Sequence, residues 1–430
     1  MILKHDDRIA ALEKNSSNSS KPPSSDIGPP KRNQSLRQPT GRPSGGQYGH
    51  VGNTRTQVET PDTVIACRPE SCTSCGTSLR GVPGLTWEKR QVADIPPLHL
   101  SVTEFQKESV SCPGCGTRST GIFPEHVSGS FQFGNHFKSM IVYLSVVHHL
   151  PFDRLTLLVK DLLHINPSEG TVETILSRAE SLGIHLQQEI VSIVKQGSWA
   201  GSDETGIRVK KDTWWQWVWQ HSLATLYVVD PSRGYSVVKE HFGEDYAGTL
   251  VHDCWSAQNN TTAAHHQLCH AHLIRDLNFC LDTDKSPWAY VLKELLLSSE
   301  KARTHIWADG FDPIIRAAVI NRYNRRLGIL IAQKVAGRES RRLQKRFKKH
   351  QDKIFHFLTQ PDIPFHNNGS ERAIRNAKVK KKVSGCFRSE HGARRHALLL
   401  SIVETCKKQG RDVFDSLQLL FEGTLSFQGG

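Results

Sequence analysis

Three apolar, β-branched and aromatic runs follow one another in SWAGSDETGIRV (198–209), TWWQWVWQHS (213–222) and ATLYVVD (224–230), separated by turn signals such as KKD. Runs of this composition and length read as successive strands of an antiparallel meander. SVVKEHFGEDY (236–246) then reads as a helix, and GTLVHDCW (248–255) as a fourth strand that runs out into a turn. In the order β-β-β-α-β the fourth strand can lie beside the first in parallel, a connection that must be a crossover. The chain is thereby held to a mixed sheet in an α/β domain. Two acids fall where strands are expected to end, Asp203 in GSDETG and Asp253 in TLVHDCW.

The surrounding texture divides the 430 residues into a multidomain protein. HDDRIAALEK suggests a short helix at 1–14, and the Ser-, Pro- and Gly-rich stretch at 15–61 reads as a linker made basic by Lys31, Arg32, Arg37 and Arg42. Residues 62–125 carry paired cysteines, and their middle, WEKRQVADIPPLHLSVTEFQKESVS, alternates like short strands. From 126 to 196 the period becomes helical. Two helices there meet at HINPSEG, with Thr171 as the expected cap of the second, giving a helix-turn-helix-like pair. Plain packing helices give the same pattern, and reading DNA would require the helix near Thr171 to offer polar residues to a groove. The sheet begins at 197 and runs to 285, a basic helical insertion fills 286–360, and 361–430 holds further helices.

CTSCG (72–76) and CPGCG (112–116) are two matched C-x-x-C knuckles, each followed by a glycine that eases the tight turn. Cys72, Cys75, Cys112 and Cys115 therefore form a candidate tetrahedral Zn2+ site in a zinc ribbon, structural in role. Cys67 lies outside the pattern. A second cluster, CHAHLIRD (269–276), sets Cys269 and His272 three apart on one helical face; packing is the first reading, and the His265–His266 pair is the nearest rival partner for a metal.

Lys plus Arg outnumber Asp plus Glu by 55 to 42, a net charge of +13 that attracts a polyanion such as nucleic acid. No apolar run reaches the roughly 18–20 residues of a membrane span, and the N-terminus lacks a signal-peptide core, so the expected address is the cytoplasm, in association with DNA. Two neighbouring strand-end acids with a third from elsewhere suit Mg2+ (or Mn2+), which takes hard oxygen ligands and leaves room for water and phosphate. The third candidate is Glu371 in HNNGSERAIRNAK, where Glu371, Arg375 and Lys378 share one helical face. Glu371 would hold metal while Arg372, Arg375 and Lys378 hold DNA phosphates. Glu204 rivals Asp203, because successive strand residues point to opposite faces and one of the two reaches the site.

NSSNSSKPPSSD, the C-x-x-C pairs, DETG, the HDCW strand end, C-x-A-H-x-x-R and NNGSERAIR, in this order from about residue 15 to 420, resemble the bacterial insertion-sequence-66 family of DDE transposases. The resemblance implies an RNase H-like mixed-sheet catalytic core with a helical insertion, and a catalytic triad of Asp203, Asp253 and Glu371. It also implies that Lys378 is a base contacting DNA. The implied activity is Mg2+-dependent strand cleavage and strand transfer on double-stranded DNA, both insertion-sequence ends and target. Holding two ends together calls for a homo-oligomer; whether accessory transposition proteins are needed is left open. The alternative from another class is a non-catalytic, zinc-dependent DNA-binding regulator derived from a transposase.

Overall fold

The computed structural model describes residues 48–50, 52, 55–84 and 88–427. The helix expected at 1–14 and most of the linker at 15–61, with Lys31, Arg32, Arg37 and Arg42, lie outside the described residues. Two units separate, one up to Val102 and one from Thr103, so the division falls inside the stretch 62–125. In neither unit does the alternating stretch from 88 to 108 form a strand. Its apolar residues have no face to pack on: Val92, Ile95 and Val102 stay exposed, and Pro96 and Pro97 supply no N–H to a ladder. Strand is confined to β1 (Ser109–Ser111) and β2 (Arg118–Thr120), an antiparallel pair flanking the second cysteine knuckle.

The helices that follow are α1 (Asn135–Val146), α2 (Phe152–Leu163) and α3 (Glu169–Gln196). Ser168, not Thr171, caps α3: its hydroxyl accepts the Thr171 N–H at 3.1 Å, placing Thr171 inside the first turn. Val172, Ile175, Leu176, Ala179, Leu186, Ile190 and Val194 bury one side of this long helix in the core, while Glu173, Thr174 and Arg178 stay exposed on it.

The sheet comprises β3 (Trp199–Val209), β4 (Asp212–Gln220), β5 (Thr225–Asp230), β6 (Asp245–His252) and β7 (Thr262–Leu268), with α4 (Tyr235–His241) and α5 (Ser256–Asn259) in the connections. Its order is β5-β4-β3-β6-β7. The first three strands meander antiparallel, and β6 returns parallel to β3 through α4, as the sequence predicts. β7, parallel to β6, is an addition. On one face Trp217 and Trp219 stack, and Phe242 stacks on Trp219. Both tryptophans are fully buried, each contributing roughly 4–6 kcal/mol of transfer free energy at about 25 cal/mol per Å2 over about 150–250 Å2.

Behind β7 come α6 (His270–Asp284), α7 (Pro287–Ile306), α8 (Pro313–Ala332) and α9 (Arg338–Lys349). Ser286 and Asp312 cap α7 and α8, each followed by a proline at the first helical position. Trp288, Leu292, Leu296, Leu327 and Phe347 share one apolar cluster with Val251 and Leu268 of the sheet, so the inserted helices are anchored on β6 and β7. The chain closes with α10 (Asn368–Ser384), α11 (Glu390–Lys408) and α12 (Val413–Glu422). Here α10 lies against β3 and β4, α11 against β5 and α3, and α12 against α1. Among the described residues no helix is long and apolar enough to cross a membrane.

Candidate active site

Asp203 does not stand at the end of its strand; it lies inside the eleven-residue β3. What ends beside it is β6. The two strands pair in parallel through Gly201 and Val251, and Asp203 lies two residues past Gly201 as Asp253 lies two past Val251. Each acid thus follows by two residues the last paired level of the two strands, where parallel chains lie about 4.8 Å apart. After Asp253 the chain turns sharply: Cys254 adopts φ 80°, uncommon for a residue with a side chain, and Asp253 accepts the Trp255 N–H at 3.0 Å.

Register also separates Asp203 from its neighbour. Residues directly opposite across an antiparallel ladder share a face. Asp203 stands opposite Val218, whereas Glu204 stands opposite Trp217 on the tryptophan face. There Arg233 donates to Glu204 Oε1 from Nη2 at 2.6 Å and from Nε at 2.9 Å, and Gln258 donates to Oε2 at 2.7 Å. The guanidinium is sandwiched by Trp215 and Trp255 at 4.5 and 3.6 Å. Glu204 is therefore satisfied internally. Asp203, 8% exposed, accepts the Glu204 N–H at 2.9 Å, and no Lys or Arg pairs with it among the described residues. Burial, followed by the charges of Asp253, Glu204 and Glu371, raises its pKa well above the ordinary carboxylate value.

The amides and glycine ahead of Glu371 dock α10 onto β3. Asn367 donates from Nδ2 to the Ser202 carbonyl at 2.7 Å and from its backbone N–H to Cys269 Sγ at 3.1 Å. A Cβ on Gly201 would meet Ser370 Oγ at 2.6 Å, and one on Gly369 would meet Gln220 Nε2 at 2.5 Å, so close approach requires glycine at both positions. Glu371 follows directly in the first turn. Its Oε1 lies 3.6 Å from both His272 Nδ1 and Arg275 Nη2. Arg372, Arg375 and Lys378 are exposed on the same helix.

Among the described residues, Glu371 joins Cys269 and His272 in a group whose donor atoms lie within 4.8 Å of one another; the three carboxylates do not form a group that tight. The CHAH element divides its work. His270 is structural, bonded to Glu300 Oε1 at 3.1 Å and the Ile354 carbonyl at 2.9 Å. His272 faces the acids, and burial lowers its pKa while Asp253 and Glu371 pull the other way. The expected rivals turn elsewhere: His266 contacts His252 at 3.0 Å, and His265 stacks on His356.

The two cysteine knuckles are built alike. In the first, Gly76 at φ 71° donates to the Cys72 carbonyl at 2.9 Å and Cys72 donates to the Thr77 carbonyl at 2.8 Å. In the second, Gly116 at φ 73° donates to the Cys112 carbonyl and Cys112 to the Thr117 carbonyl, both at 2.9 Å. Hydrogen bonds from Thr77, and then from Cys72, bring the Cys75 thiol down to about 7; Thr117 and Cys112 lower Cys115 in the same way.

Residues 130–395 match the family described as Transposase IS66 family, and residues 2–56 match a family of unknown function, DUF6444. An uncharacterized protein of Sinorhizobium fredii (strain NBRC 101917 / NGR234), y4jO, is 36% identical over 69 residues, which cover 16% of this chain and 22% of that protein. The match thus spans about a fifth of that relative's length.

Proposed function

Because the chain belongs to the IS66 family of transposases, we propose that it cuts and rejoins double-stranded DNA by metal-dependent phosphoryl transfer on an RNase H-like core, with Asp203, Asp253 and Glu371 as the catalytic acids. The observation that carries this reading is the equal offset of Asp203 and Asp253 on the parallel pair, with Glu371 close enough to raise the proton affinity of Asp203. The residues suit a divalent cation. Asp203 is buried among like charges without a cationic partner, and Glu371 Oε1 lacks a hydrogen-bond partner among the described residues. Mg2+ bound by these acids would supply Lewis-acid polarisation of the phosphate and a lowered pKa for the attacking hydroxyl.

The chain's own groups do the rest. Arg372, Arg375 and Lys378 on the exposed side of α10 hold the phosphates flanking the scissile bond, and their charge offsets repulsion between the DNA and the acids. Arg341, Arg342, Lys345, Lys348 and Lys349 of α9 are exposed too and offer further basic charge to DNA. Water attacks first and frees a 3′ hydroxyl at the element's end; that hydroxyl then attacks target DNA, with no covalent protein intermediate. Two ends must be held together, which calls for an oligomer. The knuckle thiols Cys72, Cys75, Cys112 and Cys115 are Zn2+ ligands in this reading, and their role is structural. The test is a labelled duplex bearing the element's end, incubated with Mg2+ and either the parent chain or Asp253→Asn. Nicking by the parent and none by the variant is expected; DNA binding with no nicking by the parent would replace the enzyme with a DNA-binding regulator.

A further inference from the structure

The group formed by Cys269, His272 and Glu371 fits neither plain packing nor a Mg2+ site. His272 Nδ1 and Glu371 Oε1, 3.6 Å apart, are too far for a hydrogen bond, and neither atom makes a hydrogen bond among the described residues. Two ligands on one tetrahedral Zn2+, with bonds of about 2.0–2.2 Å, lie roughly 3.4 Å apart. Cys269 Sγ completes the trio from the start of α6, where it accepts the Asn367 N–H at 3.1 Å.

We propose that Cys269, His272 and Glu371 form a binding site for a borderline-soft divalent ion, Zn2+ above all, and that an ion held there keeps Glu371 from serving with Asp203 and Asp253. The second half rests on the catalytic reading of Glu371 given above; the first does not. On binding, the Cys269 S–H bond is replaced by S–Zn and the proton passes to solvent. One thiolate and one carboxylate then cancel the ion's charge, as a buried site requires. Sulfur and imidazole select Zn2+ over Mg2+, which prefers oxygen alone. The nearest competing cation is Arg275, 3.6 Å from Glu371 Oε1 with its side chain 36% exposed, free to turn outward.

The experiment uses the full chain in three forms: parent, Cys269→Ser and His272→Gln. Each is loaded with Co2+ as a spectroscopic stand-in for Zn2+, desalted, and assayed for bound metal and for the thiolate-to-cobalt absorption, with circular dichroism as the folding control. The knuckle cysteines are common to all three, so their contribution cancels. Both variants should hold one ion fewer per chain than the parent, and Cys269→Ser should lose part of the thiolate band. Equal counts and spectra in folded chains would overturn the site. In the nicking assay at fixed Mg2+, added Zn2+ should suppress the parent far more, relative to its own zinc-free rate, than Cys269→Ser; equal suppression would overturn the competition for Glu371. A parent that binds the extra ion but never cuts DNA keeps the site and removes the phosphoryl-transfer reading, whereas one that cuts DNA with equal metal counts does the reverse.

Discussion

Replacing Gly201 by alanine tests whether the docking of α10 on β3 sets the position of Glu371. The new Cβ would lie 2.6 Å from Ser370 Oγ, 2.7 Å from Gln220 Nε2 and 2.8 Å from Asn367 Oδ1. None of these yields easily. Asn367 is tied to the Ser202 carbonyl at 2.7 Å, Gln220 Oε1 is held by Lys408 Nζ at 2.6 Å, and Ser370 is fully buried. The first turn of α10 must then retreat by roughly 0.5–1 Å, an overpacking that costs about 1–3 kcal/mol of stability. Glu371 rides on that turn, and a displacement near 1 Å at a reacting site costs on the order of 100-fold in rate. Thermal melts and single-turnover nicking of an end-containing duplex separate the two effects. The expectation is a folded, mildly destabilised protein with a rate about 100-fold lower, partly restored when Ser370→Gly removes the nearest clash. A folded Gly201→Ala chain that nicks at the parental rate would refute the argument, and so would a double variant with no recovery.

Three other outcomes are expected. His149 is held neutral down to about 4, first by burial and then by the charges of Lys380, His148 and Lys407. Its ordinary value of 6.5 returns on unfolding, so its contribution to stability is present above pH 6.5 and is lost as pH falls toward 4; His149→Gln should flatten the fall in melting temperature across that window. On α9, replacing exposed Arg341 and Lys345 by alanine should lower the slope of log affinity for DNA against log salt by about 0.9 for each phosphate no longer neutralised, measured by titration at several salt concentrations. Cys115→Ser should reduce zinc retained per chain after dialysis while the spectrum of the sheet domain persists, because the buried apolar residues among those described begin at Phe137, after the knuckle.

The strand order was readable because aromatic and β-branched runs dominate β4 and β5, turn signals such as KKD set them off from β3, and the crossover to β6 follows from chain connectivity. β7 was not readable: TAAHHQL is largely polar, and an edge strand paired on one side needs little apolar character. Alternation misled in 88–108, where the pattern exists but no second surface receives it. The choice between Asp203 and Glu204 needed the register, since one faces Val218 and the other Trp217, and composition carries no record of which.

The lone acid in HNNGSERAIRNAK has a backbone explanation that spacing could not supply. Asn367 links α10 to Ser202 through its side-chain amide and to Cys269 through its backbone N–H, so the same residue that seats the helix on β3 also brings it to the start of α6. Gly369 and Gly201 allow the two backbones to close over Gln220 and Ser370. Glu371 then emerges beside Cys269 and His272 at the start of α6, while its charge and that of Asp253 both act on Asp203 of β3. The acids offer hard oxygen and α6 offers sulfur and imidazole, so under the proposed roles the metal that Glu371 would serve depends on which ion is present, and the Asn367 junction is the feature that would make both choices available to a single carboxylate.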